Sequence, residues 1–150
     1  MFANKELDKI TNIINDFLEP FDCVAFAGTD FNYYPASNTI EFALAVIDEH
    51  AASFKQFAES LHPVHADIFL WSLMHEIGHH ETEDEFDDDE EYMAAAANAT
   101  LDEEYYNIPQ EYAATNWAGE YMTEHEDEMI QLWNELVPAI KAFYESVGVE

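Results

Sequence analysis

Residues 75–79 read His-Glu-Ile-Gly-His, and no other stretch restricts the fold of this chain so tightly. The i, i+4 spacing puts both imidazoles on one face of a helix, one turn apart. Val64, Ile68, Trp71 and Met74 give that helix an apolar flank, so it belongs against a core. Gly78 is a costly residue in mid-helix unless something packs closely against it. Pro63 fits the first position of such a helix, which is expected to run from Val64 to about His80.

With seven histidines among 150 residues, composition alone yields about 0.04 matches to His-Glu-x-x-His, so chance is a poor account of the pattern. The chemistry it suits is that of Zn²⁺. Neutral imidazole binds zinc at about 2.0–2.1 Å, and an intervening glutamate can take a proton from water on the metal. His75 and His79 are therefore candidate ligands and Glu76 the candidate general base. A catalytic zinc has a third protein ligand and one open position. His80 points off the face, and a histidine six residues beyond His79 is absent because Glu85 stands there. Glutamate is the remaining ligand type. Glu83 and Glu85 fall near the end of the same helix within a flexible run. Glu111 is the better choice: Ala114, Thr115 and Ala118 share its helical face, and small residues let two helices approach. Glu103, Glu104 and Glu120 are competitors, and Glu111 read blandly is a first-turn glutamate favoured by the helix dipole.

Residues 1–150 read as one domain, with 49% apolar side chains to build a core. Leu7, Ile10, Ile14, Phe17 and Leu18 recur at helical spacing over 4–18, with Asn4 as the cap and Pro20 beyond the end. Residues 22–28 and 39–46 are short apolar runs on either side of the turn-rich GTDFNYYPASN, and an antiparallel pair of strands is expected there. Two strands need a third strand or a helix layer. Helices are expected over 49–61, over 91–105 from Met93, Ala97, Leu101 and Tyr105, over 110–123, and over 126–147, where Pro138 predicts a kink or restart. The class is α+β, with additional C-terminal helices.

Thirty-three acidic residues face four lysines and no arginine, a formal charge of −29. No basic face exists for nucleic-acid phosphates or anionic lipid, so neither is a direct partner. Nine of the eleven residues from Glu81 to Glu91 are acidic, which predicts a solvated loop or ragged helix start. The run lacks the spaced ligands and glycine of a calcium loop. The charge supports a rival reading of the chain as an acidic, inhibitor-like mimic of DNA that sequesters a basic partner. Cys23 is alone, which excludes an intramolecular disulfide and suits a reducing compartment. The N-terminal MFANKELDKI carries no signal-like pattern, and the runs Phe42 to Ile47 and Ile68 to Met74 are too short to span a bilayer. The expectation is a cytoplasmic protein. His62 and His65 are read as surface or capping residues, while His50 and His125 have no partner in sequence.

His75–His79 followed by Glu-Tyr-Ala-Ala-Thr-Asn-Trp-Ala-Gly-Glu-Tyr-Met over 111–122 resembles the zincin metallopeptidases of the ImmA/IrrE type. Glu111 falls on their glutamate ligand, and Ala114, Trp117, Ala118 and Glu120 fall on the alanine, aromatic, alanine and glutamate of the second motif. Ala113 stands where an acidic residue is common and Thr115 where Asn or Asp is. The resemblance covers about 64–122 and implies a small zincin fold, with a short sheet over the active-site helix. It also implies zinc-dependent cleavage of a protein or peptide substrate, extending to regulatory cleavage as in phage and mobile elements. In that reading Tyr105, Tyr106 or His80 supplies a donor to the oxyanion, and an edge strand formed by 39–46 accepts extended substrate. An acidic rim would favour basic substrates.

Overall fold

The computed structural model describes residues 5–44, 49–86 and 89–147. In chain order the elements are α1 (Lys5–Leu18), β1 (Val24–Ala27), β2 (Asn32–Tyr34), β3 (Thr39–Phe42), α2 (Glu49–Leu61), α3 (Ile68–Thr82), α4 (Asp89–Asn98), α5 (Asp102–Tyr106), α6 (Pro109–Glu124) and α7 (Glu126–Ser146), with 3₁₀ turns at Glu19–Phe21 and Glu83–Glu85. The class is α+β. These elements group into two compact units, one made of the described residues up to Leu44 with those from His125 on, the other of those between. Among the described residues no helix is long and apolar enough to cross a membrane.

In the first unit, Ile10, Ile14 and Leu18 are one turn apart on α1 and fully buried, while Met129, Leu132 and Leu136 form the buried stripe of α7. Each such side chain removed from water contributes roughly 1.5–3 kcal/mol. α1 packs against α7 and β1. Asn15 on α1 accepts from the Ala25 amide at 2.6 Å and donates to the Ala25 carbonyl at 3.3 Å, closing the outer edge of β1 there. The Tyr144 hydroxyl donates to the Leu44 carbonyl and ties α7 to the chain leaving β3. Asn4 and residues 45–46, expected as a cap and a strand end, lie outside the described residues.

The sheet differs from the expected antiparallel pair. Its order is β1-β3-β2, with β1 parallel to β3 and β2 antiparallel to it. The cause is the segment read as a turn. Asn32, Tyr33 and Tyr34 are strand-compatible and pair with Glu41, Ile40 and Thr39, so the hairpin forms one strand later. The intervening turn ends at Asn38, whose φ of 49° an asparagine tolerates. β3 is thereby the central strand, with a partner on each side. The expectation that 39–46 is an edge open to strand addition is overturned, because its main-chain groups over 39–42 are already spent.

Glu41 on β3 is 7% exposed, and its carboxylate organises the β1–β2 connection. It accepts from the Thr29 amide at 2.8 Å, the Asp30 amide at 3.2 Å, Asn32 Nδ2 at 3.2 Å and the Tyr34 hydroxyl at 2.6 Å. The Tyr34 bond, reinforced by the amides, holds its pKa down at about 2 despite burial. A Cβ at Gly28 would overlap this carboxylate, so any larger residue there would displace Glu41.

In the second unit α3 packs along α6, and α2 contacts α3, α5 and α6. α3 is buried on nearly every side, from Phe69, Leu70, Trp71, Leu73 and Met74 through Ile77. It begins at Ile68 and not at Val64. The Asp67 carboxylate accepts from the Phe69 amide at 2.8 Å and caps the helix. His62, just before Pro63, is held elsewhere: its Nε2 lies 2.8 Å from Asn116 Oδ1, and its ring fills the space a Cβ at Gly119 would need. The helix expected over 91–105 is two helices, broken at 99–101, where the Glu104 carboxylate accepts from the Thr100 amide at 3.2 Å. Met93 and Leu101, which suggested one rod, are 66% and 63% exposed, so no burial enforces it. α7 continues through Pro138 as one helix.

Candidate metal centre

Helical phase and a missing side chain bring the site together. α3 presents His75 and His79 one turn apart, their rings edge to face at 4.6 Å. Opposite them, Glu111 stands in the first turn of α6, followed on the same face by buried Ala114, Thr115 and Ala118. A Cβ at Gly78 would overlap the Ala114 carbonyl oxygen and lie 2.9 Å from Ala114 Cα. Gly78 and the small residues of α6 are therefore what let the two helix backbones meet, as their sequence spacing suggested.

The closeness places Glu111 between the two rings. Its Oε1 is 3.0 Å from His75 Nε2 and 3.2 Å from His79 Nε2, and its Oε2 is 3.1 Å from His79 Nε2. His75, His79 and Glu111 each offer a ligand atom, and these atoms all lie within 4.8 Å of one another. Bonds of about 2.0–2.1 Å to a tetrahedral ion would separate its ligand atoms by about 3.3 Å, close to these spacings. Two imidazole nitrogens and one carboxylate oxygen form a donor set that zinc accepts, with one position left over. The three side chains fit an ion.

A second layer fixes the orientation of these groups. Thr115 Oγ1 gives its proton to the Glu111 carbonyl at 3.1 Å, so at 3.0 Å from His75 Nδ1 it accepts the ring proton. That bond leaves Nε2 as the nitrogen facing Glu111. Phe54 packs edge to face on the His75 ring at 5.0 Å. Tyr92 on α4 donates to Glu111 Oε2 at 2.7 Å, and the Tyr105 hydroxyl is 3.1 Å from that of Tyr92. With the Tyr92 proton committed to a carboxylate, Tyr105 is the donor of the second bond.

The charges follow from these contacts. Burial opposes ionisation of Glu111, but the hydrogen bonds and charges of His75 and His79 hold its carboxyl well below the usual carboxylate range. Burial likewise disfavours a charged His79, yet the Glu111 bond and the negative charges of Glu111 and Glu76 raise it above the ordinary histidine value. Burial and the Glu111 charge push the Tyr92 phenol up strongly and the Tyr105 phenol up to about 12. Glu76 is itself buried, and its charge is felt at both His79 and Tyr105.

The other candidates fall elsewhere. Glu104 is exposed at the α4–α5 break, and exposed Glu120 accepts from Asn116 Nδ2 at 3.3 Å. Glu83 and Glu85 belong to the 3₁₀ turn after α3, and the Glu103 side chain lies outside the described residues. His62 packs on α6 as described, and His65 pairs with Glu59 at 2.9 Å on the surface. Tyr106 packs against Phe54 and Phe57. Sequence reasoning did not single out Tyr92, and it read Thr115 only as small. The Thr115 signal lay in its hydroxyl, an oxygen on the same helical face as Glu111. Tyr92 had no such signal, because its approach to Glu111 depends on how α4 folds back. Compared with protein-family models, with curated proteins and with solved structures, the chain finds no match.

Proposed function

We propose that this protein is a zinc-dependent metallopeptidase of the zincin type, with His75, His79 and Glu111 as metal ligands and Glu76 as general base. The observation that carries the reading is the convergence within 4.8 Å of three ligand atoms from two helices, with His75 and Glu111 36 residues apart in sequence. When bound, zinc would polarise a scissile carbonyl and acidify a water beside it. The Glu76 carboxylate, on the turn that carries both histidines, takes the proton from the attacking water and delivers it to the leaving amine. Thr115 holds the His75 ring. Tyr105, raised to about 12, keeps its proton at neutral pH and directs it to the Tyr92 hydroxyl.

The acidic-mimic reading rests on the charge alone and gives no role to a buried His–His–Glu cluster. The two readings part on metal content. Elemental mass spectrometry of untagged protein is expected to find one zinc per chain, lost in His79→Ala and Glu111→Ala. Glu76→Gln is expected to keep the zinc and lose peptide hydrolysis. Protein that takes up no zinc on reconstitution overturns the proposal. Salt-sensitive capture of basic proteins that survives His79→Ala would then favour the mimic.

A further inference from the structure

Glu111 has two carboxylate oxygens, and the structure treats them differently. Oε1 is the one near both His75 Nε2 and His79 Nε2, at 3.0 and 3.2 Å. Oε2 lies 3.1 Å from His79 Nε2 and takes a hydrogen bond of 2.7 Å from the Tyr92 hydroxyl. A carboxylate at a metal binds through one oxygen or two, and an unrestrained one can rotate between these modes. Glu111 is 3% exposed, so water offers little competition for Oε2. A phenol is a fixed donor with a single proton. The neighbouring Tyr105 hydroxyl, donating to Tyr92, leaves Tyr92 free to direct that proton only at the carboxylate.

We infer that Tyr92 is a positioning residue for the metal centre, whose hydroxyl holds Glu111 Oε2 so that Oε1 is the oxygen presented between His75 and His79. This rests on the metal-site reading above and adds a residue from outside both sequence motifs. Tyr92 touches no ligand nitrogen and acts only through Glu111. Its counterpart on the other side is Thr115, which fixes His75 in the same way. The pair would hold one carboxylate and one imidazole in the geometry an ion needs before the ion arrives. The Tyr105 hydroxyl adjoins that of Tyr92, and its removal leaves the 2.7 Å Tyr92 bond to Oε2 in place.

The test is zinc affinity, measured by competition with a chromogenic chelator on the full chain. Tyr92→Phe keeps the ring and removes the hydroxyl. Its affinity is expected to fall by about 10–100-fold, with a smaller loss in Tyr105→Phe. Each variant loaded with cobalt gives a second readout that packing alone would not move: the visible bands of Tyr92→Phe are expected to shift, since freeing Oε2 changes how Glu111 binds. Should Tyr92→Phe destabilise the metal-free protein, the cobalt bands of its loaded form decide. Wild-type affinity together with wild-type bands in Tyr92→Phe would overturn the inference while leaving the metal site intact. Failure of the unmutated protein to bind zinc or cobalt would overturn both.

Discussion

Glu111 and Glu41 are two buried carboxylates, each matched by several donors, and their neighbours set the result. Glu111 has two imidazoles and a phenol; Glu41 has two amides, a side-chain amide and a phenol. Only the first has partners that could yield to an ion, because histidine nitrogens can give up their place to a metal whereas backbone amides cannot. Glu41 is a staple for the β1–β2 connection, and its effect should be visible as pH dependence. Its pKa is depressed in the folded state from the ordinary 4.5 to about 2, so it stabilises the fold above about pH 4.5 and loses that contribution as pH falls towards 2. Tyr34 is 42% exposed, so solvent screens the interaction, and a difference on the order of 1–2 kcal/mol is expected. The measurement is urea unfolding of wild type and Glu41→Gln across this window. The stability gap between them should close on acidification, and a constant gap would exclude the staple. Using the gap removes the opposing effect of the other carboxylates, whose protonation relieves repulsion.

Helix α3 shows what its neighbours demand of it. A glycine in a helix ordinarily costs roughly 0.5–1 kcal/mol relative to alanine, and Gly78 sits among residues that otherwise favour the helix. The cost is offset by contact between α3 and α6. Gly78→Ala should therefore destabilise where propensity alone predicts a gain. The added methyl meets backbone and not a side-chain tip, so a loss of roughly 1–3 kcal/mol in urea unfolding is expected. A stability at or above wild type would show that α6 yields freely. This element was largely legible in the sequence: the motif gave its face and Gly78 its close neighbour. Its start was not, because Pro63 is an acceptable first residue by local rules, yet the helix begins at Ile68 behind the Asp67 cap while His62 bonds to Asn116. The break between α4 and α5 was hidden for a related reason. A repeat of apolar residues four apart predicts a helix only if something covers the stripe, and here Met93 and Leu101 remain in solvent.

The charge of −29 belongs to the whole chain, and four lysines cannot neutralise it locally. Self-repulsion of this size destabilises a folded state and is screened over about 8–10 Å at ordinary ionic strength. The melting temperature, followed by circular dichroism, should rise by several degrees between roughly 0.01 and 0.5 M salt, and a flat or falling trend would mean the charges are already balanced by bound cations. The charge itself is a matter of composition alone. The sequence by itself also determined the α+β class, most helix positions and the His75, His79 and Glu111 set, because helical period and side-chain size are local and countable. Tertiary structure alone decided which strand lies in the middle of the sheet, since Asn32–Tyr34 reads equally well as turn or strand until β3 offers it a partner. It alone decided that Tyr92 bonds to Glu111 and Thr115 to His75. Hydrogen bonds between α4 and α6 or α3 and α6 depend on how those helices meet, and no spacing along the chain encodes that.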